Sequence, residues 1–146
     1  MEESVISDTQ FIDVSGRQIA VSARAGAGPG LFWLSGFNSD MRGTKALALD
    51  EWAREHGRAC VRFDYSGHGE SGGAFRDGTI SVWLEQSLAV FRHFSTGPQV
   101  LVGSSMGGWI SLLLARDMGP RVAGFVGIAA APDFTERMWE AEFTLA

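Results

Sequence analysis

This sequence predicts an α/β fold, built on a doubly wound, mostly parallel sheet that an antiparallel hairpin opens. Three observations carry it. From residue 31 onward, short runs rich in β-branched and aromatic residues alternate with stretches of helical period. Glycine-rich breaks fall between these stretches rather than inside them. The last apolar run, Val122 to Ala130, is continuous rather than alternating, as a strand covered on both faces should be.

The elements follow in order. Phe11-Ile12-Asp13-Val14 and Ile19-Ala20-Val21-Ser22 are β-rich, and Ser15-Gly16-Arg17-Gln18 between them predicts the hairpin. Gly26-Ala27-Gly28-Pro29-Gly30 then breaks the chain before Leu31-Phe32-Trp33-Leu34, a short run of buried-strand character. Thr44 is placed to cap a helix in which Leu49, Trp52, Ala53 and His56 share a face, and Gly57 ends it. Ala59-Cys60-Val61-Arg62-Phe63 reads as a strand, followed by a glycine-rich loop from Ser66 to Gly78. Thr79 caps a second helix with Ile80, Trp83, Leu84, Leu88 and Phe91 on one stripe. Gln99-Val100-Leu101-Val102 is the next strand. Met106 to Met118 forms a largely apolar third helix, stopped by Gly119-Pro120.

Composition narrows the function classes. The 146 residues fit a single domain, 1–146, and 45% hydrophobic with 20% charged residues is globular usage. One cysteine, Cys60, excludes an internal disulfide framework and any multi-cysteine metal site. The net charge is −5, and eleven scattered arginines with the single Lys45 form no basic run, so no nucleic-acid partner is expected. The longest apolar stretch, Val122 to Ala131, falls short of the roughly 18 residues of a membrane span. Met1-Glu2-Glu3-Ser4 is acidic where a secretory signal would be basic, which leads to the expectation of a cytoplasmic protein.

The strongest chemical signal is Gly103-Ser104-Ser105-Met106-Gly107, a G-x-S-x-G between a strand and an apolar helix. A nucleophile on so sharp a turn crowds its neighbours, and glycine two positions to either side removes the clashing Cβ atoms. Its hydroxyl is then presented at a helix N-terminus, where amides and dipole favour negative charge. Ser105 sits at the centre of the motif. A serine- and glycine-rich turn without chemistry is the bland alternative. Leu34-Ser35-Gly36-Phe37-Asn38-Ser39 directly follows the third strand, Leu31 to Leu34. In this architecture it supplies one oxyanion-hole amide while the residue after the nucleophile supplies the other. The backbone N–H groups of Phe37 and Met106 are therefore the candidates. Trp109 and Phe37 either flank the site or pack the core.

Phe63-Asp64-Tyr65-Ser66-Gly67-His68-Gly69-Glu70-Ser71, Gly103-Ser104-Ser105-Met106-Gly107-Gly108-Trp109 and Gly127-Ile128-Ala129-Ala130-Ala131-Pro132-Asp133 together resemble the α/β-hydrolase superfamily. The Asp-Tyr-Ser-Gly and Gly-Ser-Ser-Met-Gly-Gly-Trp versions resemble the branch of palmitoyl-protein thioesterases and acyl-glucuronide esterases. The resemblance runs from about Phe11 to Asp133. It implies a serine hydrolase acting on small-molecule acyl esters or thioesters without a cofactor.

Gly67-His68-Gly69-Glu70-Ser71-Gly72 also satisfies G-x-G-x-x-G. A dinucleotide site needs a helix opening at once and an acid about 20 residues on, at the end of the next strand. Here residues 73–78 intervene and Glu85 lies within a helix, so the run reads as a tight loop with Asp64 and His68 bonding its backbone.

A serine nucleophile needs a base and a third group to orient it. His56, His68 and His93 all precede Ser105, whereas this fold orders the triad Ser, acid, His. His56 and His93 lie late in helices, where they suit the dipole. His68 is the one histidine on a loop at the carboxyl end of a strand, and its expected role is packing that loop. Asp133 sits just past the strand after the third helix, where some members of the family it resembles carry the acid and most place it one strand later; it is read as structural or helix-capping. The chain is thus expected to be the C-terminally incomplete front part of a longer enzyme, whose cap, acid and histidine would follow Ala146. The exposed sheet edge, or the amphipathic segment around Met138, Trp139 and Phe143, would offer a route to a homo-oligomer. Two readings stand: a serine esterase or thioesterase, and a catalytically incomplete hydrolase-fold chain that binds acyl ligands or a partner.

Overall fold

The computed structural model describes residues 9–129. Six strands form one mixed sheet: β1 (Gln10–Val14), β2 (Arg17–Arg24), β3 (Ala27–Leu34), β4 (Arg58–Phe63), β5 (Gln99–Ser104) and β6 (Val122–Ile128). Their spatial order is β1-β2-β4-β3-β5-β6. β1 and β2 form the hairpin, β2 pairs antiparallel with β4, and β4, β3, β5 and β6 run parallel. This is the predicted α/β class, a mostly parallel sheet opened by an antiparallel hairpin.

Alternation along the central strands sorts the core into two layers. Phe32, Leu34 and Leu101 face the helices α2 (Ile80–Phe94) and α3 (Met106–Met118), packing with Trp83, Val90, Phe91, Ile110 and Leu114. Trp33 and Val102 point the other way and pack on Ala46 of α1 (Thr44–Glu55). The largest buried side chains in the first layer are aromatic, with Phe32 5.5 Å from Phe63 and 5.1 Å from Phe91 between ring centroids.

Several local expectations change. Gly43, not Thr44, is the N-cap of α1, and Thr44 opens the helix without a side-chain cap bond. Trp52 and His56 lie on the outer face of α1, stacked 4.1 Å apart, because Ala46 and Ala53 leave the sheet side narrow. β3 begins at Ala27, inside the run expected to break the chain; its register against β4 shifts between Ala27 and Leu31, which accommodates Pro29. On α2 the buried stripe is Trp83, Gln86, Ser87, Val90 and Phe91, while Leu84 and Leu88 are only half-buried. Thr79 caps α2 as its sequence predicts, accepting from the Val82 N–H at 3.1 Å.

Among the described residues the last strand is not covered as expected. Among the described residues β6 is the outer strand. Phe125 and Val126, on opposite faces, are 38% and 49% exposed. A continuous apolar run shows that a strand is built for burial. It does not show which neighbour buries it.

Candidate active site

The sheet order reverses at β3: the chain leaves β3 for β4 on one side and returns to β5 on the other. In open α/β sheets the crevice outside the carboxyl ends of strands at such a switch point is where ligands bind. Leu34 and Gly103 are paired neighbours there, so the loops that leave β3 and β5 emerge side by side.

The loop after β5 is a single residue, Ser105, at φ 55° and ψ −119°. These are the torsions of the first central position of a II′ turn, where glycine dominates. The strain is held from both sides. The Ser105 N–H donates to the Ile128 carbonyl at 3.0 Å, and its carbonyl accepts from the Gly108 N–H at 2.8 Å. The flanking glycines have the role predicted for them. A Cβ on Gly103 would overlap the Gly107 carbonyl and lie 2.6 Å from Ser111 Oγ; one on Gly107 would overlap the Leu34 carbonyl. Met106 is buried as the first residue of α3, and the first N–H groups of a helix have no intrahelical partner.

The loop after β3 lies directly against this turn, because a Cβ on Gly36 would come within 3.3 Å of Ser105 Cβ. Phe37 follows, 46% exposed, with its ring edge-on to Phe75 at 5.0 Å. Ser104 lines a cavity of about 210 Å³ between this loop and the start of α1, with Trp33, Ser35, Ser39 and Lys45 in its wall. Trp109 is half-buried on the first turn of α3.

The end of β4 supplies the loop's supports, and only part of this was legible. Tyr65 is fully buried and donates its hydroxyl to the Ser35 carbonyl at 2.8 Å; burial pushes its phenol up, so it stays a donor. Asp64 Oδ1 accepts from the Met41 N–H at 2.7 Å and Oδ2 from the Glu70 N–H at 2.9 Å. Burial raises the Asp64 carboxyl above the usual carboxylate range, against the pull of those two donors. Arg62, buried in β4, donates to the Met41 carbonyl at 2.6 Å and to Ser22 Oγ at 3.0 Å. Arg62 and Tyr65 lie next to Asp64 in the sequence, but nothing local announces that they reach the β3 loop.

Removing the Tyr65 hydroxyl leaves a buried carbonyl without its donor. Tyr65→Phe is therefore expected to cost about 1–2 kcal/mol in a urea titration. A change below about 0.5 kcal/mol, no more than an ordinary surface substitution, would mean that water replaces the bond.

The G-x-G-x-x-G loop uses its amides internally. Gly67 donates to Gly72, His68 to Tyr65, Ser71 to His68, Gly72 to Gln18, and Glu70 to Asp64. Little is left to cradle a phosphate, which accords with the loop reading. His56 and His93 lie at helix ends as expected, His56 with its Nδ1 2.9 Å from the Trp52 carbonyl. His68 is buried with both ring nitrogens committed, Nδ1 to the Ser66 carbonyl at 3.0 Å and Nε2 to the Asn38 N–H at 3.1 Å. Asp133 lies outside the described residues.

Residues 31–145 match the family described as serine aminopeptidase, S33. The human protein named palmitoyl-protein thioesterase ABHD10, mitochondrial, is 41% identical over 115 residues, which are 79% of this chain and 38% of that protein. The mouse α/β-hydrolase domain-containing protein 10 superposes with a TM-score of 0.89 at 35% identity, covering 92% of this chain and 54% of that one. A structure from Agrobacterium vitis S4 gives 0.86 at 50% identity, covering 93% and 57%. The chain thus spans little more than a third of the human relative, matching the N-terminal part of its homologues.

The expectation of a cytoplasmic protein is overturned by the human, Pongo abelii and Bos taurus relatives, whose names place them in the mitochondrion. It rested on the charge of residues 1–4, whereas a compartment is addressed by receptor-read segments that the folded core does not encode. Among the described residues no helix is long and apolar enough to cross a membrane. By its sequence over residues 31–145 and by its fold, the chain belongs to the serine aminopeptidase S33 family of α/β-hydrolases.

Proposed function

We propose that this chain carries the nucleophile and oxyanion hole of a serine hydrolase that cleaves carboxylic esters or thioesters. The observation that carries the reading is Ser105, held at φ 55° at the N-terminus of α3 and at the switch point of the sheet. A non-glycine residue kept in that region costs of order 1–3 kcal/mol, and such strain gathers at functional sites.

In this reading Ser105 Oγ attacks the acyl carbonyl carbon as its proton passes to a base. The Phe37 and Met106 N–H groups hold the oxyanion of the tetrahedral intermediate, each worth roughly 2.7–4 kcal/mol in the transition state. The alcohol or thiol leaves with a proton, and water then attacks the acyl-enzyme to release the acid and free Ser105. His68 is not the base, because the Asn38 N–H occupies its Nε2 and Nδ1 serves Ser66. The base and its acid lie outside residues 9–129 in this proposal. The thioesterase name of the human relative supports a thioester of a long acyl chain as the substrate class.

The test is labelling of the full natural chain with a fluorophosphonate, read by peptide mass. One adduct is expected, on Ser105, retained in Ser104→Ala and lost in Ser105→Ala. An unlabelled Ser105 in folded protein would favour the second reading, a hydrolase-fold module that binds an acyl ligand or a partner.

A further inference from the structure

We propose that His68 is a positioning residue for the oxyanion loop, acting through the peptide that joins Phe37 to Asn38. The proposal rests on the reading of Ser105 as nucleophile. Residues 35–41 leave β3 without regular structure, so their backbone geometry is set by the groups that reach them. Ser35 is tied through its carbonyl to Tyr65, and Met41 at both its N–H and carbonyl to Asp64 and Arg62. Between those anchors the bonds include an internal turn, Ser39 N–H to the Gly36 carbonyl at 3.2 Å, a contact of Ser39 Oγ with the Phe37 carbonyl at 3.5 Å, and the Asn38 N–H to His68.

Asn38 stands at φ 57°, in the left-handed region, which asparagine adopts more readily than most residues. Its N–H shares a peptide plane with the Phe37 carbonyl, and that plane is joined through the Phe37 Cα to the preceding one, which holds the Phe37 N–H. His68 ties that plane to the loop after β4, whereas Ser39, whose Oγ donates to the plane's carbonyl, belongs to the β3 loop itself.

His68 is built to accept there. Since the Asn38 N–H can only donate, Nε2 carries a lone pair and Nδ1 carries the proton that goes to the Ser66 carbonyl. The ring is wedged among Tyr65, Phe75 and Trp83, at centroid distances of 5.5, 5.1 and 5.2 Å. Ser66 is fixed in turn by Gln86, whose Oε1 accepts from the Ser66 N–H and whose Nε2 donates to Ser66 Oγ, both at 2.8 Å. A chain of bonds therefore runs from buried Gln86 on α2 through Ser66 and His68 to the β3 loop. It joins the loop that follows β4 to the one proposed to bind the oxyanion.

Two substitutions divide the histidine's functions. His68→Asn places an amide where Nδ1 was, keeping the donor to Ser66 and losing the acceptor for Asn38. His68→Gln places its oxygen where Nε2 was and keeps that acceptor. In the full natural chain, with p-nitrophenyl butyrate as probe, His68→Asn is expected to lower kcat about tenfold or more with KM within about twofold. His68→Gln is expected to recover most of kcat. Equal kcat in the two variants, whether normal or equally reduced, would overturn the proposal, since a packing role does not distinguish them. Hydrogen exchange on the wild-type protein covers the case in which neither variant folds. Protection of the Asn38 amide supports the bond, and exchange at the rate of an open loop overturns it. Hydrolysis that survives in Ser105→Ala would show instead that the nucleophile is misassigned, and this proposal would fall with it.

Discussion

Replacing Ser105 by alanine in the full natural chain is expected to lower kcat for ester hydrolysis on the order of 10⁴-fold or more, because nothing else in the site forms the acyl bond. KM should change little, since the substrate's other contacts remain. Alanine keeps the Cβ and accepts φ 55° about as readily as serine, so the melting temperature should hardly move. Ser105→Gly sharpens the contrast. It relieves the positive φ and is expected to stabilise the fold by about 1 kcal/mol while abolishing hydrolysis equally. Coincident loss of activity and stability in both variants would mean that Ser105 is a structural turn residue.

Gly107→Ala is expected to have the largest effect on folding, about 3 kcal/mol or more of destabilisation by urea titration. The added methyl has no space: it would overlap the Leu34 carbonyl and stand 2.7 Å from that of Ser35. Both are backbone atoms at the end of β3, so relief requires α3 to lift off the sheet or β3 to shift. Either motion loosens the loop that carries Phe37. Gly57→Ala is the matched control. Gly57 sits at φ 65° with nothing within 4 Å of the added Cβ, so that change should cost only about 1–2 kcal/mol for the backbone conformation. A Gly107→Ala variant as stable as Gly57→Ala would show that the helix and strand are not in the contact described.

The order of elements was legible because hydrophobic period and glycine placement are local properties. Thr79 announced the start of α2 by the same logic, a side-chain oxygen three residues from an N–H that needs it. The sharp turn at Ser105 was legible too, since the glycines that make room for it lie within the same five consecutive residues. The compartment was misread, because an address belongs to a receptor-read signal rather than to the fold.

What the tertiary structure alone decided is how residues far apart support one another. Arg62, Asp64 and Tyr65 read as strand end and loop, yet all three hold the backbone of residues 35–41. His68 was expected to pack its own loop, and it also reaches across to Asn38. Gln86 carries no local signal at all; it is buried on an apolar helix face because Ser66 offers it both an N–H and a hydroxyl. Local pattern shows which residues will be buried and where the chain must turn. The switch point in the strand order determines which loops meet, and hydrogen bonds between residues 20 or 30 positions apart depend on that meeting.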